Sequence, residues 1–181
     1  MKKVQRFAFW EFEEPEYYIQ ILKELGMENC KEASTPASST TPTPTEVDDA
    51  LEATQHALYR RMVGKLQWQH LLRPDAAFTI KELARDLTSP TESSLRRLKY
   101  LMKYLKGTMH YKLLIQPKVR LDANTASDCN LVIPSDANWA GCPTTRRSTS
   151  GVLIEYLGAS VHFVSRTQSL VAQSSAESEL Y

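Results

Sequence analysis

Along this 181-residue chain the spacing of apolar residues changes once, and that change limits the folds open to it. Up to Gly107 apolar residues recur three and four apart, and beyond Tyr111 the period shortens toward two. The clearest helical stretch is "SPTESSLRRLKYLMKYLKGT". Leu95, Leu98, Leu101, Met102 and Leu105 line one side, Arg96, Arg97, Lys99, Lys103 and Lys106 crowd the rest, and Gly107 ends it. Before it, "PDAAFTIKELARDL" predicts a helix opening at Pro74 and Asp75 and turning Phe78, Leu83 and Leu87 inward. Residues 52–72 predict another, with Leu58, Met62, Leu66 and Leu71 inward, Trp68 packed between helices, and an end near Arg73-Pro74. Further upstream Tyr18, Ile19, Leu22 and Leu25 predict a helix over 16–25, with Gly26 as its left-handed cap.

After the change of period, "YKLLIQ", "NLVIPSDANW", "STSGVLIEYL" and "ASVHFVS" read as strands, the last two joined tightly at Gly158-Ala159. Ser174 and Glu177 form the Ser-x-x-Glu opening of a helix in "SSAESELY". The segment "STPASSTTPTPT" at 34–45 buries too little apolar surface to order itself and reads as a linker.

The net charge of +1 conceals an asymmetry: residues 1–58 carry −6, residues 59–120 carry +10, and residues 121–181 carry −3. A cationic block between acidic ones suits a polyanion, and equally a solvated helix face. Cys30, Cys129 and Cys142 are widely spaced, with no CxxC and no nearby histidine pair, as in an intracellular protein with reduced thiols. Glu11, Glu13 and Glu14 interrupt any signal-peptide core, and no apolar run approaches a membrane span. His56, His70, His110 and His162 are scattered, which gives none of them a metal or acid–base role. Val47-Asp48-Asp49 has the acid pair of a polymerase metal turn, but no apolar strands flank it. A helix-starting acidic pair is the better account.

Asp136 closes the "NLVIPSD" run and Glu179 lies in the first turns of the terminal helix. Acids placed so can converge on one spot, where hard carboxylate oxygens suit magnesium. Two-metal phosphodiester hydrolysis needs several such carboxylates holding ions roughly 3.5–4 Å apart. By spacing alone, a helix cap and a turn residue account for the two acids as well.

The motifs themselves go further. Tyr59-Arg60 with Val63-Gly64 and Leu66, Arg73-Pro74-Asp75, Leu105-Lys106-Gly107-Thr108, "SDANWAG", "RRSTSG" and "SSAESELY" follow one another in an order that closely resembles the C-terminal part of copia-type retrotransposon Pol polyproteins. "LKELGMENCKEASTP" is similar to the family's segment just after the polymerase palm. The resemblance implies an α+β chain: a helical thumb/connection segment, then an incomplete ribonuclease H-like α/β fold with a three-stranded antiparallel sheet and the start of its first helix. It divides the chain into a reverse transcriptase remnant at 1–36, a linker at 37–57, the thumb/connection at 58–118 and the N-terminal half of the ribonuclease H-like domain at 128–181.

By the same resemblance Asp136 and Glu179 are the catalytic, metal-binding acids, with Mg2+ or Mn2+ as the cofactor, and Glu177 is the alternative to Glu179. Arg96, Arg97, Lys99, Lys103, Lys106, Arg146 and Arg147 are candidate contacts to an RNA–DNA hybrid or template-primer duplex. Trp139 either borders the hybrid or packs in the core. The sequence departs from the family at Asn138, where a second Asp is usual, at Cys142-Pro143, and at Leu180-Tyr181. The family's later catalytic acids would follow Tyr181, and the palm would precede Met1. The expectation is therefore a polyprotein fragment, intracellular and associated with the rest of Pol, whose intact parent cuts the RNA strand of hybrids and which is itself inactive alone. The competing expectations are a non-catalytic nucleic-acid-binding remnant using the basic helices of 58–107, and a decayed product that does not fold stably.

Overall fold

The computed structural model describes residues 2–6, 9–13, 15–38, 48–115, 131–142 and 144–181. The tract 39–47 at the centre of the expected linker, Cys129 and Pro143 lie outside these residues. The chain is α+β and forms two compact units, one mainly of residues 12–112 and the other of residues 3–11 with 113–181. Among the described residues no helix is long and apolar enough to cross a membrane.

In the first unit, α1 (Pro15–Glu24), α2 (Ala53–Gln69), α3 (Pro74–Arg85) and α4 (Glu92–Gly107) share one apolar core. Leu95, Leu98, Leu101, Met102 and Leu105 are buried as the period requires, against Tyr59, Met62, Val63 and Leu66 of α2, Ile80 and Leu83 of α3, and Ile21 and Leu22 of α1. Fully burying each such side chain contributes about 1.5–3 kcal/mol. The Tyr59 hydroxyl donates to the Leu83 carbonyl at 2.7 Å, and burial first, then the negative charge of Asp86, pushes its pKa up. Gly26 (φ 63°) ends α1 as expected: the Met27 and Gly26 N–H groups donate back to Leu22 and Lys23, satisfying carbonyls the helix leaves open.

Several inward assignments are corrected. Ile19, Phe78 and Leu71 are exposed. Phe78 lies at the fringe of its stripe beneath the Lys81 ammonium, and Leu71 falls in a 3-10 turn (His70–Leu72) that rotates it off the α2 face. Trp68, expected between helices, is 78% exposed. The acidic pair starts a helix, but a distant one: Asp48 accepts from the Thr91 hydroxyl (2.7 Å) and Ser93 N–H (2.9 Å) at the N-terminus of α4, where Thr91 is the N-cap.

In the second unit, β4 (Leu131–Val132), β5 (Ser135–Asn138), β6 (Thr149–Tyr156) and β7 (Ala159–Thr167) form an antiparallel sheet. β7 pairs with β6 along its whole length, so β4 and β5 share the other edge, in one continuous register from Leu131↔Tyr156 to Asn138↔Thr149. The run expected as one strand is therefore interrupted at Ile133-Pro134, although the Pro134 carbonyl still accepts from Leu153 N–H. The hairpin loop is Leu157-Gly158, one residue earlier than expected, with both φ angles positive (52° and 73°) as a tight twisted turn requires. β1 (Lys2–Arg6), β2 (Phe9–Glu13) and β3 (Leu113–Ile115) make a further three-stranded sheet in that order, with β3 beside β7. The sequence carried no expectation for β1 and β2. Helix α5 (Ser175–Leu180) follows β7 after a short loop.

Candidate functional site

Asp136 sits in β5 opposite Gly151, on a strand whose other edge faces α5. The N–H of Ala137, the next residue, points away from β6 and donates to Glu179 Oε1 at 3.1 Å. Glu179 thus lies beside the strand that carries Asp136, while the two acids of α5 divide their work. Glu177 accepts the Gln173 N–H at 2.7 Å while its own N–H donates to Ser174 Oγ at 3.1 Å, which makes it a cap of the helix. Asp136 and Glu179 are both exposed. Among the described residues no group of three or more His, Cys, Asp or Glu side chains is placed to hold a metal ion. The donor set fits Mg2+ in kind, being all carboxylate oxygen, and falls short of a two-metal site in number.

The loop that closes β5 is built around its own polar groups. Trp139 is 46% exposed rather than in the core, and its ring N–H donates to the Ala172 carbonyl at 3.0 Å, tying the strand end to the loop before α5. A Cβ at Gly141 would collide with the Asn138 side chain, so the residue standing in the family's second Asp position packs on a turn glycine. Cys142 is buried, and its Sγ accepts from Thr145 N–H at 3.2 Å. Arg146 (φ 57°) and Arg147 are exposed on the same loop.

The basic residues of α4 are divided between solvent and partners within the first unit. Arg97 is ion-paired with Asp86, and Lys106 donates to the Cys30 carbonyl at 2.7 Å. Lys103 is half-buried, its carbonyl accepting from Ala33 N–H, so the segment after α1 lies along this helix. Arg96 and Lys99 are exposed. Sequence reasoning missed a second surface: Arg60, Arg61, Gly64, Trp68 and Leu71 are all exposed on or just past α2, at three- and four-residue intervals from Arg61. A Cβ at Gly64 would meet nothing within 4 Å, so the fold itself does not require glycine there. The spacing of these residues was the available signal.

The Arg-Pro-Asp motif is a clamp within the first unit. Arg73, 4% exposed, donates to both carboxylate oxygens of Asp75 (2.9 and 2.7 Å) and to the carbonyl and hydroxyl of Thr108 at the end of α4 (3.2 and 2.6 Å). Tyr104 donates to Asp75 at 2.6 Å. Burial alone would raise the Asp75 pKa, but the bonds from Arg73 and Tyr104 and the guanidinium charge outweigh it and hold the carboxyl below its ordinary value.

Comparison with known proteins gives the chain its relatives. It is 32% identical over 167 residues to an uncharacterized mitochondrial protein of Arabidopsis thaliana, which covers 90% of this chain and 63% of that protein. It is 32% identical over 165 residues to the retrovirus-related Pol polyprotein from transposon RE1 of the same plant, 90% of this chain and 10% of the polyprotein. Over 122 residues it is 34% identical to secreted RxLR effector protein 161 of Plasmopara viticola, 67% of this chain and 80% of that protein. Relatives at 28–32% identity over 90% of this chain are named as retrovirus-related Pol polyproteins of copia-like transposons. The chain spans about a tenth of the RE1 polyprotein and less than two thirds of the mitochondrial relative. No family model and no solved structure matches it.

Proposed function

We propose that the second unit carries half of a ribonuclease H-like site, in which Asp136 and Glu179 hold a divalent cation, and that the first unit grips the RNA–DNA hybrid or template-primer duplex. One observation carries the reading: Glu179, alone of the acids in α5, turns its carboxylate onto the strand of Asp136, at the Ala137 N–H. Bound Mg2+ or Mn2+ would lower the pKa of a water and steady the leaving oxygen of a phosphodiester. The chain's own residues supply the rest. Asp136 presents an acceptor carboxylate, Glu179 is held to the same strand by the Ala137 N–H, and Trp139 holds the strand end to the α5 loop. Arg146 and Arg147 offer positive charge at the same end of β5, and Arg60, Arg96 and Lys99 offer it on the first unit, Arg61 being ion-paired with Glu24; phosphate contacts there would be independent of sequence and sensitive to salt.

The second reading, a nucleic-acid-binding remnant without cleavage, is favoured by the shortage of metal-ligating groups among the described residues and by the exposed Trp68 face. Titrating the chain with Mg2+ and with a labelled RNA–DNA hybrid separates the two, since half a site binds an ion without cleaving. Saturable Mg2+ binding that disappears in Asp136→Asn supports the half-site. Salt-dependent hybrid binding with no Mg2+ held at Asp136, weakened on the order of tenfold in Trp68→Ala, supports the remnant. Binding of neither ion nor hybrid rejects both.

A further inference from the structure

We infer that Gln168 is a positioning residue for the Asp136–Glu179 pair, setting α5 so that Glu179 faces β5; this rests on the metal-site reading above. Gln168 follows β7 and is 8% exposed. Its backbone N–H donates to the Ser148 carbonyl at 2.9 Å. Its side-chain Nε2 makes two bonds, to Ser150 Oγ on β6 at 2.8 Å and to the carbonyl of Ser178 on α5 at 2.7 Å. Ser178 is the residue before Glu179, and Ser150 is the cross-strand partner of Ala137, whose N–H Glu179 accepts. One amide and one carboxylate therefore fasten α5 to the same rung of the sheet.

Hydrogen bonds are what can fix this helix. α5 is six residues long and buries only Ser178, while Leu180 is 87% exposed, so no apolar stripe sets its rotation. Successive residues of a helix differ by about 100° around its axis, so a rotation well short of that already swings Glu179 off the strand. The Ser178 carbonyl belongs to the last turn, where helices leave acceptors unpaired, and Gln168 supplies the donor. The other end of the amide points the same way. Gln168 Oε1 is buried without a hydrogen-bond partner, an unfavourable state that an apolar side chain of the same length would avoid, but only by releasing Ser150 and Ser178.

The test uses the full chain, 15N-labelled, with Mn2+ as the ion probe. In Gln168→Met, amide exchange at Ala137 is expected to quicken about tenfold, while exchange at Leu153, bonded to Pro134 on the same sheet, stays as in wild type. Paramagnetic broadening at residues 136 and 179 is then expected to need several-fold more Mn2+. Unchanged exchange at Ala137 overturns the inference, whatever the ion does. Should Leu153 also quicken, the milder Ser150→Ala variant decides by the same readout: a selective effect at Ala137 supports positioning, and none overturns it. If Ala137 answers to Gln168 but Mn2+ broadens neither acid in wild type, positioning stands and the metal-site reading falls.

Discussion

The two units are held together by different means. The first encloses a core drawn from four helices, in which Ile21, Tyr59, Met62, Leu66, Leu98, Leu101, Met102 and Leu105 are fully or almost fully buried. In the second, the buried apolar residues among those described are Cys142, Leu157, Ala159 and Ala172, whereas Leu131, Val132, Ile133, Val161, Leu170 and Val171 are exposed. Its order comes from strand register and from polar ties such as Gln168, Trp139 and Ser174. A region built this way places side chains by hydrogen bonds and has little apolar burial to resist opening. The lesson is that the unit carrying the candidate metal pair is the one whose geometry single polar substitutions can move.

That contrast can be broken by substitution. The largest effect is expected from Leu98→Ala, which opens a cavity in the helical core and lowers stability by about 2–5 kcal/mol in urea unfolding; Val164→Ala, on a 37% exposed strand position, is expected to cost less than about 1 kcal/mol. Similar losses for both would erase the distinction. Next comes Arg73→Met, which leaves Asp75 without its charge partner and is expected to cost about 3 kcal/mol, the lower end for a buried pair because Asp75 keeps about a third of its exposure. The pH dependence follows in sign. Because the folded Asp75 pKa is depressed, its contribution is complete well above the unfolded value of 3.8 and is lost as pH falls through that value toward the folded one. An acid melt of the wild type should therefore steepen below pH 4, and the Arg73→Met melt should lack that component. Smaller still, Thr91→Ala removes the N-cap of α4 and is expected to cost about 1 kcal/mol. Smallest is Gly64→Ala, expected to raise thermal stability by about 0.5–1 kcal/mol because the exposed site has room for a methyl group and the helix interior gains by it.

Much of the helical unit was legible in the sequence because a 3.6-residue period has a direct physical cause, the single buried face. The misplaced residues sit where that cause weakens: Ile19 and Phe78 at the margin of a stripe, and Leu71 where the helix tightens into a 3-10 turn. Trp68 shows the complementary limit, since an aromatic residue at helical spacing reads as core whether or not a partner helix covers it. The strands after Tyr111 were legible by type and β1 and β2 were not, and the break at Ile133-Pro134 and the Leu157-Gly158 turn depend on pairing partners far along the chain. Of the site, Asp136 and Glu179 could be singled out from element ends and motif order. Gln168 could not, because its importance lies in joining Ser150 to Ser178 across the fold, and "RTQSL" carries no periodic signal of that. For the basic face of α4, charge composition does not reveal that Asp86 and the Cys30 carbonyl engage Arg97 and Lys106.

The most direct test of the metal pair is a Mg2+ titration of the full chain followed by NMR, run on the wild type, Asp136→Asn, Glu179→Gln and the double variant. If the two carboxylates share an ion, the wild type will show saturable shifts centred on residues 136 and 179, either single variant will abolish them, and the double variant will add nothing further. Shifts that survive in one single variant, or that centre elsewhere on the sheet, would contradict the account.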